Sequence, residues 1–131
     1  MLYENLKITS DGVAYMILNA ETARKFDLKE GETEGLVNEP LKIDNVCMSI
    51  FLKEDGDGFY RVSIRTKKGV SAVKCSASYF HGGGHENASG GRLFFKPVDG
   101  RPADISAPEE AEKYIIDKTS VYFADGSYES R

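Results

Sequence analysis

No uninterrupted apolar stretch in these 131 residues approaches the roughly 20 needed to cross a bilayer, which leaves no membrane-spanning helix to expect. Cysteine is scarce. Cys47 and Cys75 lie on separate apolar segments rather than in a CxxC pair, so they are expected as small core fillers in a reduced, cytoplasmic protein. Histidine is equally scarce, and His81 and His85 are separated by three glycines, a poor scaffold for presenting both rings to one ion. With Glu86 as the nearest carboxylate, metal binding by this chain itself is not expected. No GxxxxGK[ST] run exists, so a P-loop is excluded. Gly82-Gly83-Gly84 also lacks the spacing of a dinucleotide-binding turn, and it follows a helical pattern rather than a strand. The first residues, MLYENLKITSDG, lack the basic-then-apolar layout of a signal peptide. Internal repeats and low-complexity linkers are missing too.

What is present fits one globular domain spanning residues 1–131, with 40% apolar residues to build a core and 29% charged residues to cover it. The net charge of −4 is unevenly spread. Residues 61–92 hold six basic residues (Arg61, Arg65, Lys67, Lys68, Lys74, Arg92) and a single acid, Glu86, a local charge of +5 against −9 for the rest. This describes an anion-binding face on an acidic body, or a solvated basic surface.

Apolar runs at 6–8 and 13–18, separated by Thr-Ser-Asp-Gly, predict a hairpin. Asn19 is placed to cap a short helix over 20–26, ending near Asp27 and Gly31. A second short helix is expected over 33–38, stopping before Pro40. VCMSIFLK at 46–53 reads as a largely buried strand, and FYRVSIRT at 59–66 returns as its partner across Asp55-Gly56-Asp57-Gly58. In the return strand Tyr60, Val62 and Ile64 share one face, and Arg61, Ser63 and Arg65 the other. Val70, Val73, Ala77 and Phe80 recur at helical spacing, and a strand is expected over 92–96. Ala107-Pro108-Glu109-Glu110 opens a last helix whose apolar face would be Ala111, Tyr114, Ile115 and Val121. Together these elements predict an α+β domain: a mixed sheet of about five strands with helices packed against it.

The least generic segment is SYFHGGGHENASGGR at 78–92. Three consecutive glycines cost backbone entropy, yet they let N–H groups converge on an anion. His85 adds a donor that can change charge near neutral pH, and Asn87 and Ser89 add short polar groups. The same run also reads as a flexible connection between helix and strand.

The order SIRTK, VSAVKCSASYF, HGGGHENASGG and a short strand resembles the C-terminal domain of DHH-family phosphoesterases. The lead-in AETARKFDLKEGETEGLVNEPLKIDNVCMSIFLKE is similar as well, so the likeness spans roughly residues 19–96. That family includes nanoRNA oligoribonucleases, adenosine bisphosphate phosphatases, single-strand exonucleases and cyclic-dinucleotide phosphodiesterases. Some related chains carry the looser description of exopolyphosphatase. The resemblance implies a two-lobed enzyme. One lobe holds two divalent metals, usually manganese, which activate the water that attacks phosphorus. The other lobe closes the cleft and clamps the substrate. It further implies that Arg65 and Lys67 contact substrate, and that Gly82, Gly83, Gly84 and His85 form a phosphate-cradling loop. His81 stands where the family often has a fourth glycine, and it pays more than glycine if the position needs a positive φ. Nothing here matches the metal lobe, so the chain is expected to be a fragment that binds short RNA or nucleotide phosphates and relies on a metal lobe of the same polypeptide. The rival reading is a non-catalytic RNA-binding appendage like that at the end of alanyl-tRNA synthetases. A self-sufficient metal hydrolase fails for want of ligands.

Overall fold

The computed structural model describes residues 6–25, 30–55, 58–98 and 100–129. Its centre is a mixed sheet of six strands in the order β1-β2-β3-β4-β6-β5. The strands are β1 Lys7–Ile8, β2 Val13–Leu18, β3 Met48–Asp55, β4 Phe59–Thr66, β5 Gly83–His85 and β6 Ala88–Phe94. Every pairing is antiparallel except β2 with β3, where Val13 lies against Met48 and Leu18 against Lys53. The chain makes that parallel step through α1 (Ala20–Lys25) and α2 (Glu30–Asn38).

Strand alternation divides the core in two. Val13, Tyr15, Met48, Ile50, Leu52, Tyr60, Val62, Ile64 and Leu93 point to one face. They are covered there by α3 (Ala72–Tyr79) and α4 (Ala111–Ala124), through Ala72, Cys75, Ile115 and Tyr122. The opposite face buries a smaller cluster of Met16, Leu18 and Phe51 under Val37 of α2. Because α2 covers only part of this second face, the β4–β6–β5 part is left open. Two tyrosine hydroxyls tie the first helical layer together: Tyr122 donates to the Ser71 carbonyl and Tyr114 to the Tyr79 carbonyl, each at 2.6 Å.

Several expected elements stand where their residues put them. The β1–β2 hairpin forms, with Gly12 at φ +86° in its turn. Asn19 caps α1 by accepting the Thr22 N–H at 2.7 Å. The expected end of that helix near Asp27 lies outside the described residues, as do Gly56 and Asp57 of the β3–β4 turn. Gly31 does not end α1 but belongs to α2, which starts at Glu30 rather than Thr33. The α-helix stops at Asn38, and Pro40 sits in the first turn of a 3-10 segment, Glu39–Lys42, where its missing N–H costs nothing.

Two helical faces are rotated from expectation. In α3 the buried positions are Ala72, Cys75 and Ser76, not Val73 and Ala77. Ser71 caps this helix by accepting the Lys74 N–H at 3.2 Å, and the small residues after it let the helix lie close on the sheet. In α4, Thr119 and Tyr122 are buried while Val121 is 53% exposed. Burial pushes the Cys75 thiol up to about 12, so this fully enclosed sulfur stays protonated and inert. Cys47 is half-buried, and both thiols are free.

The sixth strand is β5, made of glycines read from sequence as a loop. Its pairing partner β6 begins at Ala88, four residues before the expected start at Arg92.

Candidate anion-binding site

Cross-strand partners in a sheet point to the same face, so the register of three ladders fixes what lies on the open part of the second face. His85 pairs with Ala88, and Ala88 with Arg65. Gly83 pairs with Gly90, and Gly90 with Ser63. Arg92 pairs with Arg61, and Arg61 with Lys53. The result is a shallow tray. Its floor is Gly83, Gly90, Ser63 and Ala88, residues too small to fill the space above them. Arg65 and His85 stand at one end, two strands or about 10 Å apart along the hydrogen-bonding direction. Arg61, Arg92 and Lys53 stand at the other. Beside α2 the tray deepens into a cleft of about 570 Å³ walled by Glu34, Phe51, Lys53, Arg61, Ser63 and Arg65.

Arg65 is held firmly. Its Nη1 donates to the carbonyl oxygens of Ile64 (2.9 Å) and Ser89 (3.2 Å). Its Nε and Nη2 grip both carboxylate oxygens of Glu34, at 3.2 and 2.5 Å. A guanidinium has five N–H donors. These contacts use four, and one Nη2–H remains. The hydrogen bond from Arg65, reinforced by its charge, holds the Glu34 carboxyl below its ordinary value even though that side chain is 57% exposed. Lys67 donates from Nζ to the carbonyl oxygens of Ile43 (2.9 Å) and Asp44 (3.3 Å), and keeps its third N–H. At the far end Arg61 pairs with Asp55 at 2.9 Å, and Arg92 lies 4.9 Å over the Phe59 ring.

The glycine run is a pinned hairpin rather than a slack loop. Its turn is Glu86-Asn87, whose two carbonyls accept the N–H groups of Ala72 (2.6 Å) and Thr66 (3.1 Å). The Asn87 amide nitrogen donates to Thr66 Oγ1 (3.0 Å), the Lys67 carbonyl (3.2 Å) and the Val70 carbonyl (3.3 Å). Asn87 therefore clamps the loop between β4 and α3. Gly82 donates its N–H to the Ser76 carbonyl at 3.1 Å, so that donor is consumed within the fold. A Cβ on Gly82 would meet the Gly90 carbonyl oxygen at 1.8 Å, whereas one on Gly83 would meet nothing within 4 Å. Gly84 has φ +140° and its register turns it to the other face, as it does Ser89, which is buried with an unpartnered hydroxyl. Of the sequence-derived candidates, then, Arg65, Gly83 and His85 meet on the tray and Lys67 flanks it. Gly82 and Asn87 brace it from outside, and Gly84 and Ser89 face away.

His81 does take a positive φ, +53°, alone among the described non-glycine residues. Its Nε2 lies 2.8 Å from Asp104 Oδ1 and its ring sits against Phe94. Neither histidine joins a wider ligand set: among the described residues no cluster of three or more His, Cys, Asp or Glu could hold a metal ion. The residues present do not fit the manganese pair that the resemblance implies for the other lobe. No helix of the described residues is long and apolar enough to cross a membrane.

Residues 10–94 match the family model of the DHHA1 domain. The chain belongs to the DHHA1 domain family. Over 93 residues, 71% of the chain, it is 39% identical to the probable bifunctional oligoribonuclease and PAP phosphatase NrnA of Streptococcus mutans. Over the same length it is 28% identical to the NrnA of Bacillus subtilis. The matched stretch spans only 29% of the length of each of these relatives. Among solved structures, an exopolyphosphatase-related protein of Bacteroides fragilis superposes with a TM-score of 0.74 at 36% identity, covering 92% of this chain and 32% of that one. A pGpG-specific phosphodiesterase, PggH of Vibrio cholerae, shares the fold with a TM-score of 0.53 at 14% identity, over 92% of this chain and 36% of that one.

Glu34 and the pair Arg61–Arg92 were not singled out from sequence as site residues. An alternating reading of β4 already put Arg61 beside Arg65. Arg92 would have followed from starting β6 at Ala88. Nothing local marks Glu34, which reaches Arg65 from another element.

Proposed function

We propose that this DHHA1 domain binds the phosphate of a nucleotide or short oligonucleotide on the tray, as the substrate-holding half of a cytoplasmic two-lobed phosphoesterase. The observation that carries the reading is the open floor of Gly83, Gly90 and Ser63 beside Arg65 and His85, with one Arg65 N–H still unspent. Support comes from the NrnA relatives, whose names describe oligoribonuclease and PAP phosphatase activities, and from the free thiols, which suit a reducing compartment. Hydrolysis itself belongs to a metal lobe elsewhere in the polypeptide, where divalent ions would supply the activated water. The role of the residues here is to bind and orient. A phosphate over Gly83 first takes the free Nη2–H of Arg65. A two-point grip by Arg65 then requires Glu34 to release the same guanidinium edge, so the anion and Glu34 exchange places on Arg65.

An NMR titration of the 131-residue protein with adenosine 3′,5′-bisphosphate tests this directly. A dissociation constant on the order of 0.1–10 mM is expected, since a few charge-assisted contacts must offset association entropy. Shifts should cluster at Arg65, Lys67 and residues 82–87, and affinity should fall with added salt. Shifts confined to α4, or salt-insensitive binding, would overturn the phosphate tray. Manganese-dependent turnover by this chain alone would overturn the assignment of hydrolysis to another lobe.

A further inference from the structure

Helix α2 is weak by composition. Its nine residues, EGETEGLVN, include Gly31 and Gly35, and each glycine disfavours a helix about fivefold relative to alanine. A helix this short is marginal on its own in any case, so its contacts with the sheet must hold it. Val37, 1% exposed, anchors the C-terminal end, with Leu36 partly buried in the same cluster. Nearly one turn earlier the tether is polar: the Glu34 carboxylate on the Arg65 guanidinium. Asn38 Nδ2 steadies Glu34 by donating to its carbonyl oxygen (2.9 Å) and to its Oε1 (3.3 Å). A Cβ on Gly35 would meet nothing within 4 Å, so that flank of the helix faces open space.

We propose that α2 is a self-inhibitory lid: docked through Glu34 it covers the guanidinium edge that a phosphate needs, and a phosphate gripped by Arg65 releases residues 30–35, with Val37 as the hinge. This lid rests on the exchange of Glu34 and phosphate proposed above, and adds to it a movement of backbone. Two features favour release of the helix over rotation of one side chain. The helix contains Glu30, Glu32 and Glu34 and no lysine or arginine. Those three charges outweigh the roughly half-charge of a helix N-terminus, so a docked α2 repels the anion even after Glu34 has turned away. Once Arg65 is taken, the helix has also lost its polar tether, and two glycines leave it little reason to persist. Because Glu34 walls the cleft of about 570 Å³, its departure widens the entrance. Linkage then requires that whatever strengthens the docked helix weakens phosphate binding.

The test is amide hydrogen exchange of the 131-residue protein with and without adenosine 3′,5′-bisphosphate, beside an NMR titration. The informative amides are those of residues 34–37, whose helical acceptors are the carbonyls of 30–33. They should exchange faster at saturating ligand, and faster in ligand-free Glu34→Gln than in ligand-free wild type. Gly35→Ala places a methyl in open space and touches no ligand, yet it should weaken binding about three- to fivefold by strengthening the helix. A folding defect cannot explain that loss, because the variant should melt no lower than the wild type. If the ligand shifts Arg65, then unchanged or slower exchange at 34–37 overturns the lid, as does wild-type affinity in Gly35→Ala. The phosphate tray survives either result. A ligand that leaves Arg65 unperturbed overturns the tray and the lid together.

Discussion

Gly82→Ala and Gly91→Ala should each cost this protein at least about 3 kcal/mol, a loss of some 10 °C in Tm, while Gly83→Val should melt with the wild type. The three glycines lie within ten residues, yet their surroundings differ completely. A Cβ on Gly82 would stand 1.8 Å from the Gly90 carbonyl oxygen and 2.5 Å from Ser76 Oγ. One on Gly91 would stand 2.2 Å from the Phe80 carbonyl oxygen. In both cases the obstacle is backbone, and the hydrogen bonds there, from Gly82 to Ser76 and from Arg92 to Phe80, fasten α3 to the β5–β6 hairpin. Moving either apart loosens the layer that carries the tray. Gly83 has open space above it, and a β-branched residue suits a strand. Gly83→Val should instead abolish nucleotide binding, because its methyl groups occupy the anion's place. Thermal melts and an adenosine bisphosphate titration decide the matter. Equal stability of all three variants would refute the packing argument, and undiminished binding by Gly83→Val would move the anion off that floor.

Arg65→Ala, made in a polypeptide that includes the proposed metal lobe, should lower kcat/KM by one to three orders of magnitude, about 1.5–4 kcal/mol for a lost charge-assisted contact. Arg65→Lys should restore only part, since an ammonium lacks the planar fork. Circular dichroism must accompany the kinetics, because Arg65 also bonds the Ile64 and Ser89 carbonyls. The companion variant is Glu34→Gln. It keeps an acceptor beside Arg65 but removes the charge that competes with phosphate, so affinity should rise a few-fold. Unchanged turnover in Arg65→Ala would take Arg65 out of the site. Weaker phosphate binding in Glu34→Gln would mean that the carboxylate holds Arg65 ready for its ligand rather than exchanging with it.

The parts of this molecule visible in the sequence are those where side chains report the backbone. Phe59–Thr66 alternates cleanly, and its two faces are the core and the tray. Pro108-Glu109-Glu110 marks the entry to α4 because proline and acids suit a first turn. Residues 82–91 carry five glycines, which have no side chain with which to alternate, so the sequence shows neither β5 nor the true start of β6. Starting β6 at Ala88 sets Arg92 beside Arg61 and turns Ser89 to the core face. Val73 and Ala77 recur at helical spacing but are not the buried positions. The helix instead sits on Ala72, Cys75 and Ser76. The Arg65–Glu34 pair bridges two elements that only the assembled sheet brings together, so no local pattern could disclose it.

The parallel step between β2 and β3 dictates an order of assembly. β3 meets β4 across a short turn, and β6 meets β5 across two residues, so these contacts close at small entropic cost. β2 leaves the ribosome earlier than all of them, yet its partner β3 arrives only after two helices have been made. The strand synthesised among the first is thus expected to be among the last to dock, and the tray half of the sheet to form ahead of the crossover half. Trimming Met16 or Leu18 should speed unfolding and leave the folding rate nearly unchanged, whereas trimming Ile50 or Ile64 should slow folding; stopped-flow kinetics showing the reverse would place the crossover in the nucleus.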